Sequence, residues 1–388
     1  MEEDPWPVQE GDLDAESNLV TPAFVDPHFH LDKSFLAEIP GETVGMIPQV
    51  VADLNRYATG EALEMLHRRM LRSVRCALMW GSTAIRGFAD VSPQLGLSHV
   101  DALIALREEL RPWIDLQVVA FPQQGIVRMP GTETLLAQAM EHGADVVGGI
   151  PWIETSQAAV NAHLNVLFDL AERFDADLHV VADNTDDPDS HTLESLCRYT
   201  IERGWQGRVS ASQCEALAAY DDAYAELVIQ LLCQANVAVV SNPHVTLVTS
   251  GRNDRGLVRR GLPRIKEMLR EGICVACGQD DLADPFYPFG APNQAQTALF
   301  MAHAAHLTTL DEIEAVWKMV TDRAAQLMHL QAYGIFSGGR GDLVIHRGSN
   351  PARVLAEGLP PQYVIRAGQV VVTHKLTTAL APFFPQSV

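Results

Sequence analysis

The stretch Asp26-Pro27-His28-Phe29-His30-Leu31-Asp32-Lys33 follows a strand-like run, residues 19–25. In an extended strand successive side chains alternate between two faces, so His28 and His30 point the same way and Phe29 points opposite. Two imidazoles at the end of a strand are a typical half-site for a divalent cation. A pair with this spacing also arises by chance in a chain with 14 histidines. The residues around the pair therefore decide between the two interpretations.

Size and composition describe an ordinary globular protein with an ample core. The chain has 388 residues, 47% of them hydrophobic and 20% charged, which allows one large α/β barrel or two smaller domains. A net charge of −21 argues against nucleic acid as a partner, because phosphate binding needs a basic face. No apolar run approaches the roughly 18 residues of a membrane span, and the N-terminus lacks the basic start of a signal peptide. We expect a cytoplasmic protein with no membrane partner.

Two local features carry little functional signal. Residues 1–18 contain seven acidic side chains and no Lys or Arg, which predicts a loosely ordered lead-in. Cys274 and Cys277 bracket two apolar residues in a strand-like run. This context favours buried thiols over a zinc or redox motif.

Strand-like and helix-like segments alternate along most of the chain. The predicted strands are 20–28, 80–86, 114–121, 145–150, 177–183, 207–212, 236–241 and 273–278. The predicted helices include 61–78, 99–110, 156–174, 190–203, 221–235, 260–271 and 309–330. Eight strands, most of them followed by a helix, predict an α/β protein with a (β/α)8 TIM-like barrel. A doubly wound sheet is the alternative, but no glycine fingerprint follows the first strand.

The pattern changes after residue 334. Short β-like runs at 341–346 and 363–372, with a glycine turn, predict a small β unit beside the barrel. We divide the chain into 1–23 and 335–388, which form the small β domain, and 24–334, which forms the barrel. The active-site residues of such barrels lie at the carboxyl ends of the strands. The polar residues at or just past these ends are His28, His30, Gln123, Asp183, Asn184, Gln213, Asn242 and Asp280.

Several stretches together resemble the amidohydrolase superfamily, in particular its cytosine deaminase branch. The resemblance spans roughly residues 20–375, and its specific stretches are 21–33, 119–126, 143–151, 183–187, 208–213, 241–243 and 278–288. It implies a barrel with a small β-sandwich built from both termini, and hydrolysis of ring or amide C–N bonds of a small molecule.

The same resemblance implies a metal site that is incomplete here. The family pattern takes two histidines after strand one, one histidine each from strands five and six, and an aspartate after strand eight. His28, His30 and Asp280 match three of these positions, whereas Val181 and Gln213 occupy the strand-five and strand-six positions. Two further departures are Asn184, where the branch has a proton-shuttling glutamate, and Gln279, where it usually has a histidine.

These departures have direct chemical consequences. The side chain of Val181 has no lone pair, and Gln213 can offer only an amide oxygen, a poor zinc ligand that suits harder ions. Asn184 can hydrogen-bond a ring, but a carboxamide does not exchange protons near neutral pH. His179 shares a strand face with Val181 but lies about 6–7 Å deeper in the barrel. We therefore interpret His179 as a core histidine bonded to a neighbour.

Three ligands remain. His28, His30 and Asp280 could hold one zinc or ferrous ion as a two-histidine, one-carboxylate set with open positions. A set reduced from five ligands to three loses much of its chelate advantage, however. Retention of His28 and His30 as packing and hydrogen-bonding groups is the alternative.

The rest of the pocket matches the family more closely. Gln123 matches the residue that grips the amide edge of the substrate, and Asp281 and Phe286 match the loop that closes over the ring. Asn184 and Gln123 would orient the substrate, and Gln213 is a further substrate-binding candidate. Further pocket candidates are Lys33 and His244, for which a surface lysine and a packing histidine are the ordinary alternatives; Cys214 has no paired base and is not a nucleophile candidate. Asp280 is the best proton-transfer group, with a pKa that a barrel mouth can raise.

Only 27 residues precede His28, fewer than the family normally uses for its sandwich strands. We expect a reduced sandwich or one completed by a neighbouring subunit, and hence a homo-oligomer; a misplaced start site is the alternative.

Three functions remain open. The first is a hydrolase acting on C–N bonds of a small nitrogen heterocycle, cyclic amide or amidine, in which Asp280, His28 and His30 are catalytic. The second is metal-independent proton transfer, such as isomerisation, cyclisation or elimination, by Asp280 and a histidine. The third is a non-catalytic ligand-binding role.

Overall fold

The computed structural model describes residues 13–38 and 60–379. Within these ranges the chain forms an eight-stranded parallel sheet and a four-stranded antiparallel sheet. The eight parallel strands are neighbours in chain order, which is the arrangement of a (β/α)8 barrel. The predicted fold class is confirmed. Most of the acidic lead-in, residues 1–12, lies outside the described residues.

The strands, in chain order, are β1 Val20–Pro22, β2 Phe24–Phe29, β3 Ser82–Asp90, β4 Asp115–Phe121, β5 Val146–Gly149, β6 Asp177–Ala182, β7 Val209–Gln213, β8 Ala238–Ser241, β9 Val275–Cys277, β10 Leu343–Ile345, β11 Tyr363–Arg366 and β12 Gln369–Thr373. The α-helices of the described ranges are α1 Leu63–Met79, α2 Ser98–Leu110, α3 Thr132–His142, α4 Gln157–Phe174, α5 Thr192–Glu202, α6 Asp222–Ala235, α7 Pro243–Thr249, α8 Ile265–Arg270, α9 Gln294–Ala304, α10 Leu310–Met319, α11 Asp322–Leu327 and α12 Pro351–Glu357.

Two predicted helices differ from the structure for local reasons. The segment 260–271 is helical only as α8, because Pro263 disfavours helical backbone in the residue before it and Gly261 is left-handed with φ +63°. The segment 309–330 is divided into α10 and α11 at Thr321, whose φ of −131° and ψ of −102° are not helical. Helices α3, α7, α9 and α12 were missing from the sequence prediction.

The first predicted strand, 20–28, is two strands in two sheets. β1 pairs with β10 of the small sheet, and β2 pairs with β3 of the barrel. The chain crosses at Ala23, whose N–H donates to the Asp342 carbonyl, whereas the N–H of Phe24 donates to the Gly81 carbonyl. The strand that bears the histidine pair is therefore tied to both sheets.

The barrel closes through the predicted metal-site residues themselves. The N–H of Asp280 donates to the His28 carbonyl at 2.7 Å, and the N–H of His30 donates to the Asp280 carbonyl at 2.8 Å. Asp280 has a left-handed φ of +60°, a sparsely populated conformation for a residue other than glycine. Closure of the barrel thus brings the end of β2 beside the residue that follows β9.

The small sheet has the order β1-β10-β11-β12 and is antiparallel throughout. Ala367 and Gly368 join β11 to β12 with φ values of +49° and +76°, as a type I′ turn requires. The predicted glycine turn and the β unit built from both ends of the chain are confirmed. The division into 1–23, 24–334 and 335–388 stays a proposal.

His346 lies where the small sheet meets the barrel. Its Nε2 is 2.8 Å from the Thr21 hydroxyl, and its ring packs against Phe24 and Trp317. Burial lowers the pKa of His346 from 6.5 to about 3. The folded state therefore holds this imidazole neutral under conditions in which an unfolded chain protonates it.

The His346→Gln variant is expected to flatten the acid side of the stability profile. Between pH 6.5 and pH 3 the unfolded state binds more protons at this position, so His346 lowers stability by up to about 1.4 kcal/mol for each pH unit below 6.5. Urea unfolding of both proteins at pH 7.5 and pH 5.5 measures the difference. Identical pH dependence in the two proteins would contradict this assignment.

Candidate active site

The histidine pair lies at the floor of the open mouth of the barrel. His28 and His30 are both buried, and their Nε2 atoms lie 3.2 Å apart. Phe88 of β3 stacks on the His28 ring with centroids 4.0 Å apart and also contacts His30. The alternation of side chains along β2 thus points both rings the same way, as the sequence predicted.

Asp280 completes a three-atom set with the two rings. Its Oδ1 lies 3.2 Å from Nε2 of His28 and 3.5 Å from Nε2 of His30. Its other oxygen, Oδ2, accepts a hydrogen bond of 2.7 Å from Nε2 of Gln213. Gln213 therefore orients the carboxylate.

The electrostatics of Asp280 differ from the expectation. Desolvation raises the pKa of this buried carboxyl, but the hydrogen bonds from His28 and Gln213 and the charge of Lys33 outweigh it. The net pKa of Asp280 is lowered, so the prediction of a raised pKa was wrong. The reason is that the donors around the carboxylate stabilise its charged form.

The strand-five position is apolar, and His179 does not replace it. Val181 packs in a cluster with Phe88, Phe121 and Ile150. His179 lies one layer deeper, where its Nε2 is 3.0 Å from Nδ1 of His28. The interpretation of His179 as a core histidine bonded to a neighbour is confirmed.

A cavity of about 570 Å³ opens above the histidines. Of the residues predicted for the site, it is lined by His30, Gln123, Asn184, Gln213, Asp280, Asp281 and Phe286. The sequence analysis missed other lining residues, among them Phe121, Arg128, Met129, Ile150, Trp152, Ile153, Val245, Thr246 and Thr249. Most of these lie in connections after β4, β5 and β8, and their proximity to the barrel mouth was the signal that could have identified them.

Lys33 is buried beside this cavity. Its side chain is only 4% exposed, its Nζ donates a 2.6 Å hydrogen bond to Oε1 of Gln123, and it lies 5.3 Å from the centre of the Phe286 ring. The alternative of a surface lysine was wrong, because Gln123 and Phe286 enclose the ammonium group.

The charge of Lys33 is maintained by nearby carboxyl groups. Burial lowers the pKa of Lys33, but Asp90, Asp281, Asp32 and Asp284 outweigh it, so the net pKa is raised. Desolvation, followed by the charges of Asp284 and Asp280, raises the pKa of Asp281 well above its usual value. The mouth thus combines a charged lysine with a carboxyl group that holds its proton more tightly than usual.

The loop after β9 is held in shape by Asp284. Its Oδ1 accepts hydrogen bonds of 2.9 Å from the backbone N–H groups of both Phe286 and Tyr287. The Phe286 ring is thereby placed at the cavity wall.

The loop after β4 is held by the buried carboxylate of Glu154. Glu154 accepts hydrogen bonds from the N–H groups of Ile126, Val127 and Arg128. His163 lies 2.9 Å from Glu154 and accepts from the N–H of Ile150, so its Nδ1 carries the proton that Glu154 accepts. This network places the apolar wall around Ile150 and the Arg128 segment at the mouth.

Two other sequence candidates, Asp183 and His244, have contacts of their own. Asp183 accepts hydrogen bonds from Thr192 and from the N–H of Leu193, and so caps α5. His244 is buried, with Nε2 2.7 Å from the Gln279 carbonyl, and burial lowers its pKa to about 4. His244 is not among the residues that line the cavity, and its ring packs against Tyr287 and Phe300.

The cysteines are free thiols, and all six lie in the described ranges. Cys214 and Cys277 are buried, and burial raises the pKa of both thiols, whereas Cys274 is partly exposed. Cys274 and Cys277 contact different groups, the Arg323 carbonyl and the Met319 sulfur. The prediction of buried thiols is confirmed for Cys277 and only partly for Cys274.

The donor set fits one divalent cation. Zinc bonds of about 2.0–2.1 Å in tetrahedral geometry place neighbouring ligand atoms about 3.3 Å apart. The three separations among His28, His30 and Asp280 are 3.2, 3.2 and 3.5 Å. Within the described residues this is also the one group of at least three histidine, cysteine or acidic side chains that could hold a metal.

A (β/α)8 barrel with two histidines after its first strand and an aspartate after its eighth defines the class of amidohydrolase-like barrel enzymes. The profile of the amidohydrolase family matches residues 13–372. The chain belongs to this family, and it is a hydrolytic enzyme of the cytosine deaminase-like branch.

Individual relatives support this assignment. The chain is 28% identical over 376 residues to N-isopropylammelide isopropyl amidohydrolase of Pseudomonas sp. strain ADP, covering 95% of this chain and 89% of the relative. It is 28% identical to a pterin deaminase of Rhizobium rhizogenes, covering 94% and 83%. A crystal structure of 5-methylcytosine deaminase from Klebsiella pneumoniae, liganded with phosphonocytosine, superposes with a TM-score of 0.93 at 31% identity, covering 97% and 92%.

Within the described residues, no helix is both long and apolar enough to cross a membrane.

Proposed function

We propose that this enzyme hydrolyses a C–N bond of a small nitrogen heterocycle, cyclic amide or amidine bound in the 570 Å³ cavity. His28, His30 and Asp280 would hold one divalent cation, zinc or ferrous iron. The observation that carries the proposal is the convergence of their three ligand atoms at the cavity floor, with separations of 3.2 to 3.5 Å. The names of the relatives support the substrate class, because ammelide, pterin and cytosine are all nitrogen heterocycles.

A bound cation supplies Lewis acidity and an activated water at neutral pH. Asp280 is the carboxylate next to that position, and Gln213 holds it in place through Oδ2. We assign to Asp280 the acceptance of the proton from the attacking water. Its lowered pKa makes the Asp280 carboxylate a weak base that is ionised at neutral pH and free to accept a proton.

Lys33 determines what Gln123 offers to the substrate. An ammonium group only donates, so the amide oxygen of Gln123 must face Lys33, as observed at 2.6 Å. Its Nε2 is then the atom left for the substrate. Gln123 would therefore bind an acceptor atom, such as a ring carbonyl oxygen.

Asn184 limits the proton transfers that the site can perform. It lines the cavity where the branch has a glutamate, and a carboxamide cannot deliver a proton to a ring nitrogen or to a departing amine. This disfavours conventional cytosine deamination. We infer that the substrate undergoes a variant hydrolysis in which Asn184 orients the ring.

Metal-independent proton transfer is a second candidate function. It is favoured by the 3.2 Å separation of His28 Nε2 and Asp280 Oδ1, because a neutral imidazole can donate to the carboxylate across that distance. Such an enzyme would be indifferent to chelation and would still require Asp280.

Metal analysis of the purified protein is expected to find about one equivalent of a divalent cation per chain, and chelation should abolish activity toward a panel of cyclic amides and amidines. His28→Ala should lose the cation, because it removes one of three ligands. His67→Ala should retain it, because His67 is a partly exposed histidine paired with Glu109, and it is the matched control. Absence of the cation after reconstitution with zinc, iron, manganese or nickel would contradict the proposal.

The proposal also covers the cellular location and the oligomeric state of the enzyme. We expect a cytoplasmic homo-oligomer that acts on a small molecule. The net charge of −21 supports the expectation that it does not bind nucleic acid.

A further inference from the structure

A column of hydrogen-bonding side chains lies behind His28, on the side away from the cavity. Nδ1 of His28 is 3.0 Å from Nε2 of His179, and Nδ1 of His179 is 3.4 Å from the guanidinium of Arg86. All three side chains are buried inside the barrel, so water does not compete for these contacts. The order of the column is Asp280, His28, His179 and Arg86.

The Arg86 guanidinium at one end of the column fixes which atom donates in each hydrogen bond. A guanidinium has donors and no acceptor, so Nδ1 of His179 must face Arg86 with its lone pair. The positive charge favours the same orientation even where the hydrogen bond is long. A ring whose Nδ1 faces a donor with its lone pair carries its proton on Nε2.

The orientation of His179 then fixes which nitrogen of His28 accepts a hydrogen bond. The Nε2–H of His179 donates to Nδ1 of His28, which uses the lone pair at that nitrogen. A neutral His28 ring therefore carries its proton on Nε2, 3.2 Å from Oδ1 of Asp280. A histidine that binds a metal has the reverse arrangement, with a lone pair toward the metal and the other ring nitrogen donating to its support.

We propose that Arg86, acting through His179, sets the tautomer of His28 and thereby lowers the affinity of the His28–His30–Asp280 set for a divalent cation. The inference rests on the proposed function in that this set is taken as the cation site. Binding at His28 requires both histidines to exchange tautomers, which turns the Nδ1–H of His179 toward the donors of Arg86. Arg86 is a positioning residue, since it does not touch the cavity or the ligand atoms.

The guanidinium is held in place by other groups. Its Nε donates to Gln117 at 2.9 Å, and its terminal nitrogens donate to Ser210 and to the Leu327 carbonyl. Burial lowers the pKa of Arg86 to about 10, so it is charged at neutral pH. Arg86 therefore cannot readily turn away when a cation binds.

Zinc titration of the full chain against a competing chromophoric chelator tests the proposal. Arg86→Met removes the donor at similar length and is expected to bind zinc about tenfold more tightly or better. Arg86→Lys keeps a cation and should stay near the wild-type affinity. Arg366→Met removes another buried arginine, one paired with Asp115 and Asp342, and should leave the affinity unchanged.

The outcomes separate this inference from the proposed function. A folded Arg86→Met variant with wild-type or weaker zinc affinity would overturn the inference alone. Failure of the wild type and of every variant to bind zinc would overturn the proposed cation site and this inference together.

Nitrogen-15 NMR of the histidine side chains in the cation-free wild type provides a test that needs no Arg86 variant. Both His28 and His179 are expected to be protonated at Nε2, with their signals assigned through His28→Gln and His179→Gln. A His28 ring protonated at Nδ1 would overturn the inference even if every Arg86 variant failed to fold.

Discussion

The Asp280→Asn variant is expected to lose hydrolytic activity by about 10²- to 10⁴-fold and to lose most of its bound cation. The substitution removes the negative charge whose Oδ1 lies 3.2 and 3.5 Å from the two imidazole nitrogens. It also removes the group that accepts the proton. The shape of the side chain is retained, so Gln213 keeps a possible partner at its position. The measurements are metal content per chain and turnover of a cyclic amide or amidine panel.

Asp342→Asn is the matched control, because Asp342 is also buried but pairs with Arg366 in the small sheet. Full metal content and activity are expected in this control. Loss of activity in Asp280→Asn with the cation retained would assign only the proton transfer to Asp280. Retention of both would remove Asp280 from the mechanism.

The Val181→His variant is expected to raise zinc affinity by about 100-fold, at the upper end of the range over which residues that support a metal site change its affinity. Val181 lines the cavity together with Asp280 and His30, at the position where the resemblance implies a histidine. An imidazole there would complete a set of three histidines and one carboxylate, typical of zinc sites.

The substitution has a cost without the cation. Phe88, Phe121 and Ile150 surround Val181, and an unpartnered imidazole among them is expected to lower stability by about 1–3 kcal/mol. Zinc should restore the thermal midpoint, because it binds the folded state. Val181→Phe is the matched control, since it adds a ring of similar size without a lone pair. Equal zinc affinity in the histidine and phenylalanine variants would show that position 181 does not reach the cation.

Adding Asn184→Glu to Val181→His tests the loss of the proton shuttle. The double variant regains a group that can protonate a ring nitrogen, so cytosine deamination should become measurable, whereas neither single variant should support it.

Much of the fold could be read from the sequence. Strand alternation and hydrophobic runs are local properties, and they predicted eight barrel strands close to their observed positions. The predictions failed where a continuous local pattern is divided by pairing with residues that are distant in sequence. Residues 20–28 have one continuous strand pattern, yet the chain leaves the small sheet and enters the barrel at Ala23. The N–H of Ala23 donates to the Asp342 carbonyl, and the N–H of the next residue donates to the Gly81 carbonyl.

The chemistry available to the site was also largely determined by the sequence. Val181 has no lone pair and Asn184 has no titratable proton in any fold, so residue identity alone excludes metal binding by the first side chain and proton transfer by the second. The pairing of His28 with His30 follows from the two-residue repeat of a strand.

The tertiary structure decided the surroundings of these groups. It buried Lys33 against Gln123, placed His179 and Arg86 behind His28, and surrounded Asp280 with donors that lower its pKa. Hydrogen-bond direction and desolvation depend on atoms that are distant in sequence and a few ångströms apart in space. For that reason the sequence determined which groups could react, and only the packed barrel decided their charges, their tautomers and the directions in which they act.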